Sequence, residues 1–200
     1  MQLYVTLTSP YARIVRVLII EKGLEDRVAV TPAVTRAAES PYYAVNPSGR
    51  VPALVDDDGA LFEGSDLICA YLDTLQDPPI LKSQTDWPAR RLEARARGML
   101  DGLAVWGREF LYRSDTERSP TIIAHETTRA LRLAAAFDES VADGDLDGPL
   151  DMAQITLGCT LHNLGDRLPG FEWRKGNARL AAWVEAFGAR DSMQRTLPPN

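Results

Sequence analysis

The sequence predicts an α/β unit followed by an all-helical unit. Three observations carry this. Residues 1–75 alternate strand and helix signals in the order β-α-β-(α)-β-β-α. A proline-bearing stretch, 76–87, then interrupts the pattern. Beyond it the strand signals vanish, and apolar stripes at helical spacing replace them. The expected organisation is therefore an α/β domain over 1–75, a linker over 76–87 and a helical domain over 88–200.

Each element has a local reason. Gln2 to Leu7 alternates polar and apolar residues, as a strand does. Thr8-Ser9-Pro10 ends it, and Pro10 suits a helix's first turn, where a missing N–H costs nothing. Ile14, Val17, Leu18 and Glu21 then keep helical spacing up to the stop at Gly23. Val28–Val30 reads as a second strand, and Thr35 to Ala44 as a helical turn plus loop. Val51–Val55 and Ala60–Glu63 read as an antiparallel pair around the turn Asp56-Asp57-Asp58-Gly59. Asp66 to Leu75 is amphipathic. A right-handed crossover joins the first two strands and a hairpin ends the unit, which is a thioredoxin-like arrangement.

In the second unit Leu92, Ala96, Met99, Leu103, Trp106 and Phe110 form one stripe. Ile123 to Val141 repeats it more weakly. Asp151 to Leu168 is apolar nearly all round and predicts a buried central helix, with Asp151 and Gln154 as a capping box. Leu180, Trp183, Val184 and Phe187 mark a last amphipathic helix, and the tail from Thr196 to Asn200 is expected to be mobile.

Composition excludes several classes. The chain has 200 residues and a net charge of −6, which argues against a nucleic-acid binder. Cys69 and Cys159 lie far apart in apolar runs and read as core thiols, and His125 and His162 form no cluster, so no metal site is expected. No run of apolar residues is long enough to span a membrane. Met1 to Leu7 lacks the basic start of a signal peptide, which leaves a cytoplasmic location as the expectation.

The stretch Asn46-Pro47-Ser48-Gly49-Arg50-Val51-Pro52-Ala53-Leu54-Val55 combines a turn with a proline at a strand entrance. An X-Pro bond there can be cis, and an outward Val51 N–H and C=O would pair with an extended peptide. The plainer reading is a turn leading into a strand.

With the two-unit layout, this stretch resembles the Asn-Pro-x-Gly-x-Val-Pro-x-Leu motif of cytosolic glutathione S-transferases. Thr8-Ser9-Pro10-Tyr11-Ala12-Arg13 is similar to the opening of bacterial members that carry a serine at the active site. Ser65-x-x-Ile68-x-x-Tyr71-Leu72, Gly148 to Ile155 and Asn177 to Thr196 also resemble family segments. The resemblance implies a thioredoxin-like N-terminal domain, an all-helical C-terminal domain, a homodimer and glutathione as co-substrate. It implies a detoxification reaction in which the glutathione thiolate attacks a small hydrophobic electrophile, with no metal.

On this resemblance, Ser9 would donate its hydroxyl to the glutathione sulfur, helped by the helix that starts at Pro10. Ser9 as a helix N-cap is the plain alternative, and both roles can hold. Thr8 and Tyr4 are neighbouring hydroxyls and alternative donors. Val51 would pair with the cysteinyl backbone, held by Pro52, and Arg50 would meet the glycine carboxylate. Ser65 would take the γ-glutamyl carboxylate. The acid that the family places before that serine is missing, because its slot holds Gly64. Glu63 is one residue early and reaches only if Gly64 forms a bulge; Asp101 of a second copy is the other candidate. The electrophile would lie between the domains, with Tyr11, Trp106, Phe110 and Tyr112 as candidate walls; core or dimer packing is the plain alternative, and the favoured one for Trp106. The alternative function is a binding or regulatory protein with a weakened glutathione site.

Overall fold

The computed structural model describes residues 1–199, with Asn163 described by its backbone alone. The chain divides into two compact units. One is Met1–Leu81 with the C-terminal segment from Asp191, and the other is Lys82–Arg190. The division thus falls elsewhere than at the expected 1–75, 76–87 and 88–200, for reasons that lie in two buried cations.

The first unit holds a four-stranded mixed sheet in the order β2-β1-β3-β4: β1 Gln2–Val5, β2 Ala29–Pro32, β3 Ala53–Val55 and β4 Leu61–Glu63. β2 runs parallel to β1; β3 runs antiparallel to both β1 and β4. The register sorts the side chains. Leu3, Leu54 and Phe62 form one row, and Phe62 stacks on Tyr71 of α2, Ser65–Asp73, at 4.4 Å. Tyr4, Ala53 and Glu63 form the next row on the opposite face, where the Tyr4 ring lies 5.5 Å from Tyr42 of the 3-10 turn Pro41–Ala44. The helical turn expected within Thr35 to Ala44 is this 3-10 turn. β3 begins two residues later than Val51, since Pro52 has no N–H to give the ladder. At the hairpin, Asp56 Oδ1 accepts from Asp58 N and Ala60 N, and Gly59 takes a φ of +84°.

Helix α1, Pro10–Glu21, buries Ile14, Val17 and Leu18 and ends at Lys22, followed by Gly23 with φ +62°. Lys22 is buried. Its ammonium lies 3.0 Å from Asp73 Oδ1 and donates to the carbonyls of Asp73, Gln76 and Pro78. The Asp73 carboxylate in turn accepts from Ile80 N at 2.8 Å and Leu81 N at 3.0 Å. Residues 76–81 are therefore part of the first unit and not a free linker. Arg13, also buried, donates to the Met193 carbonyl at 2.9 Å and to Thr196 Oγ1, which fastens α7, Asp191–Arg195, to α1. Thr196 is buried, so the tail expected to be mobile is anchored at that residue; Asn200 lies outside the described residues.

The second unit packs α3, Trp87–Tyr112, and α4, Pro120–Ala142, around α5, Met152–Cys159, with α6, Ala178–Gly188. Asp86 and Ser119 cap α3 and α4 through their side chains. The capping box of α5 is complete: Gln154 N donates to Asp151 Oδ1 and Asp151 N to Gln154 Oε1, both at 3.0 Å. Every residue of α5 is buried, as its all-round apolar sequence requires. The central helix expected over 151–168 changes to a π-helical segment at Thr160–Gly165. The change begins where the Thr160 hydroxyl bonds back to the Thr156 carbonyl, a competitor for the helix ladder. Among the described residues, no helix is long and apolar enough to cross a membrane.

Lys22 predicts a measurable cost. Lys22→Met leaves the Asp73 carboxylate buried without its cation, so unfolding in urea should show a loss of about 3–5 kcal/mol. A loss below about 1 kcal/mol would contradict the role given to this pair.

Candidate functional site

The row Tyr4–Ala53–Glu63 lies at one end of the sheet. Three connections leave the sheet beyond it. Thr6 to Ser9 follows β1, Arg50 to Pro52 precedes β3, and Gly64 to Ser65 follows β4. Because β3 is antiparallel to both neighbours, all three emerge at the same end.

Ser9 closes the first connection. Its N–H donates to the Thr6 carbonyl at 3.0 Å, and its Oγ accepts from Ala12 N at 3.2 Å, so it is the N-cap of α1. The cap uses an acceptor lone pair and leaves the hydroxyl proton to give. The helix end adds a favourable field for an anion. Of the alternative hydroxyls, Thr8 is exposed and Tyr4 Oη donates to Gln2 Oε1 at 2.9 Å.

The second connection is held from behind. The Arg50 carbonyl accepts from Tyr42 Oη at 2.5 Å and from Asn46 Nδ2 at 3.0 Å. Asn46 is fully buried, and its Oδ1 accepts from Ser48 N at 3.0 Å. Gly49 turns the chain at φ +65° directly over the Tyr43 ring, where a Cβ would lie 2.8 Å from Cε1. Burial holds the Tyr42 hydroxyl above its ordinary pKa, so it is a protonated donor at neutral pH. The Val51–Pro52 peptide bond is cis and Pro52 is buried. Among the described residues, the Val51 N–H and C=O make no hydrogen bond within the chain. The Arg50 side chain is exposed and, on the same terms, forms no ion pair.

At the third connection, Gly64 takes φ +82° as the N-cap of α2, with no side-chain cap. Its N–H donates to the Pro52 carbonyl at 3.3 Å, which ties the second and third connections together. Ser65 is buried at the first turn of α2. Glu63 lies on the Tyr4 face of the sheet and accepts from Ser48 Oγ, and the same hydroxyl accepts from Arg50 N.

The expected wall residues divide. Tyr11 is half-buried on α1 in the first unit. In the second unit Trp106 is only 1% exposed and meets Phe171 edge-on at 5.4 Å, so it packs in the helical core. Its place in the stripe with Met99 and Leu103 explains this. Phe110 carries the Arg118 guanidinium 4.4 Å above its ring, Tyr112 is exposed at the end of α3, and Asp101 is exposed on the same helix. Among the described residues no group of His, Cys, Asp and Glu is arranged to hold a metal.

Two family models match the chain: the glutathione S-transferase N-terminal domain over residues 8–75, and the glutathione S-transferase C-terminal domain over residues 120–186. Maleylacetoacetate isomerase of Pseudomonas aeruginosa is 36% identical, covering 94% of this chain and 93% of its own. The chain belongs to the glutathione S-transferase family. A GST-like protein of Escherichia coli, YibF, is 27% identical over 100% of this chain and 99% of its own. A glutathione transferase family member of Pseudomonas fluorescens Pf-5, crystallised with bound glutathione, superposes with a TM-score of 0.89 at 30% identity. That match covers 100% of this chain and 99% of the other. The same family member was also crystallised with S-(propanoic acid)-glutathione, at a TM-score of 0.86 and 31% identity over both full chains.

Sequence reasoning misses the parts of this family member that hold the Arg50 turn from behind. Asn46 was visible as a motif letter, but its bonds to the Arg50 turn were not. Tyr42 gave no signal beyond its place in an ambiguous segment. Ser48 and Arg13 stand in motifs, and the sequence does not show the contacts they make.

Gly64 yields a test of the backbone. A Cβ at 64 meets nothing within 4 Å, so space is not the obstacle, but φ +82° is. Gly64→Ala should lower stability by about 1–3 kcal/mol in a denaturant titration. An unchanged midpoint would show that the backbone relaxes out of this conformation.

Proposed function

We propose that this chain is an enzyme of the serine type in its family, joining glutathione to a small hydrophobic electrophile. The observation that carries the reading is the meeting of three contacts at one sheet end: a serine hydroxyl at a helix N-terminus, an unpaired strand-like N–H and C=O, and a second helix start. The Pseudomonas fluorescens relative with glutathione and with a glutathione adduct supports it.

Glutathione would lie extended along this end of the sheet. Val51 would pair with its cysteinyl backbone as an added strand, and Arg50 would face its glycine carboxylate. Ser65, at an uncapped helix start, would take the γ-glutamyl carboxylate. The Ser9 hydroxyl would donate to the sulfur and, with the α1 dipole, favour thiolate over thiol. The thiol proton leaves to solvent. The thiolate lone pair then forms the carbon–sulfur bond while the electrophile's leaving group departs with its bonding electrons. Serine cannot form a mixed disulfide, which sets this chemistry apart from thiol–disulfide exchange. A homodimer and a cytoplasmic setting belong to the same proposal.

A second reading is favoured by one observation. Gly64 supplies no acid for the ligand's ammonium, and the Glu63 carboxylate, one residue early, accepts from Ser48 Oγ. A protein that binds glutathione-like ligands without turnover fits this.

Calorimetry with glutathione, followed by conjugation of an aryl halide, separates the two. The enzyme reading predicts binding at or below millimolar concentration and a fall of about 100-fold in kcat/KM for Ser9→Ala. Binding without turnover would favour the second reading. Absence of binding at millimolar glutathione would overturn both, and equal rates for wild type and Ser9→Ala would remove Ser9 from the chemistry.

A further inference from the structure

The Arg50 carbonyl and the Val51 N–H belong to one planar peptide group. Two donors converge on that carbonyl, Tyr42 Oη at 2.5 Å and Asn46 Nδ2 at 3.0 Å, and they also lie 3.3 Å from each other. The N–H on the other edge of the peptide has no partner within the chain among the described residues.

The supports are themselves fixed. Tyr42 N donates to Ser40 Oγ at 3.2 Å, and Ser40 Oγ donates to the Val34 carbonyl at 2.5 Å. The Tyr42 ring lies against Tyr4 of β1, so the hydroxyl is referred to the sheet itself. Asn46 N donates to the Tyr42 carbonyl, and Asn46 Oδ1 receives Ser48 N, so the amide has one orientation that satisfies both ends. A turn needs one such bond to close. Two on the same oxygen, both buried, do something further: they pull electron density toward the carbonyl and make the N–H of the same peptide a stronger donor. They also forbid the peptide from rotating its N–H inward.

We infer that Tyr42 and Asn46 are positioning residues for the ligand backbone, orienting and polarising the Arg50–Val51 peptide so that its N–H is presented to a carbonyl of an extended γ-glutamyl tripeptide. The inference rests on the glutathione reading above. It adds that the affinity of the Val51 contact is set from the far side of the peptide by two groups that never touch the ligand. The contact is the same in the ground state and in the transition state. Loss of the support therefore raises KM and leaves kcat unchanged.

Tyr42→Phe keeps the ring against Tyr4 and removes only the hydroxyl, so it is the variant to use; Asn46→Ala removes a fully buried group and serves as a second case. Glutathione is titrated into wild type and Tyr42→Phe by calorimetry. Steady-state kinetics, thermal unfolding and the amide resonance of Val51 in labelled, glutathione-bound protein are recorded alongside. The expected result is a Kd and KM about 3- to 10-fold higher for Tyr42→Phe, an unchanged kcat, and an upfield shift of the Val51 amide proton. Wild-type binding with the same Kd in Tyr42→Phe overturns the inference and leaves the glutathione reading intact. So does a weakened Kd that comes with a lowered unfolding temperature and an unmoved Val51 resonance, which marks a structural role. No binding by wild type overturns the glutathione reading and the inference with it.

Discussion

The pairing of β3 with both β1 and β4 is the constraint on which the site depends. Tyr4 meets Ala53, and Ala53 meets Glu63. The two contacts fix a single row of residues, and everything that the site uses leaves the sheet just past that row. A slip of one residue in either pairing would turn every side chain of the moved strand to the other face. The buried row of Leu3 and Leu54, with Phe62 stacked on Tyr71, sits on the face that such a slip would expose to the wrong side. Core burial therefore sets the register, and the register sets the relative placement of Ser9, Val51 and Ser65.

The site separates support from contact. Ser9 caps α1 through an acceptor lone pair and keeps its proton. The Arg50 carbonyl is held by Tyr42 and Asn46, while the Val51 edge of the same peptide stays open. Gly64 binds the Pro52 carbonyl with its N–H and starts α2 without a side-chain cap. In each case the groups inside the unit are satisfied within it. Buried polar groups must be, and the groups at the sheet end are the ones the proposed ligand would meet. A peptide that adds as a strand needs this kind of edge, with unpaired backbone groups held rigidly in line.

Much of this was legible in the chain. The strand and helix order, the hairpin at Asp56 to Gly59, the capping box at Asp151 and Gln154, and the all-round burial of α5 followed from local pattern, because each depends on residues close in sequence. The motif around Val51 and Pro52 was legible for the same reason. What was not legible depends on distant partners. Lys22 looks like an ordinary helix-end cation until Asp73 and the carbonyls of Gln76 and Pro78 surround it, and Arg13 looks like a motif letter until Met193 and Thr196 are beside it. Trp106 is a candidate wall by residue type, but its place in an apolar stripe favours packing; its burial beside Phe171 is that of a core residue. The π-helical segment after Cys159 had no signature in a run of apolar residues.

The central claim is that one extended tripeptide touches all three connections at once. An amide-resolved NMR titration of the whole chain with glutathione tests this most directly. The account predicts saturating shifts, with a common Kd, at the amides of Ser9, Val51 and Ser65, and little change along α5. Shifts confined to one connection, shifts with different Kd values at the three, or none at millimolar glutathione would contradict it.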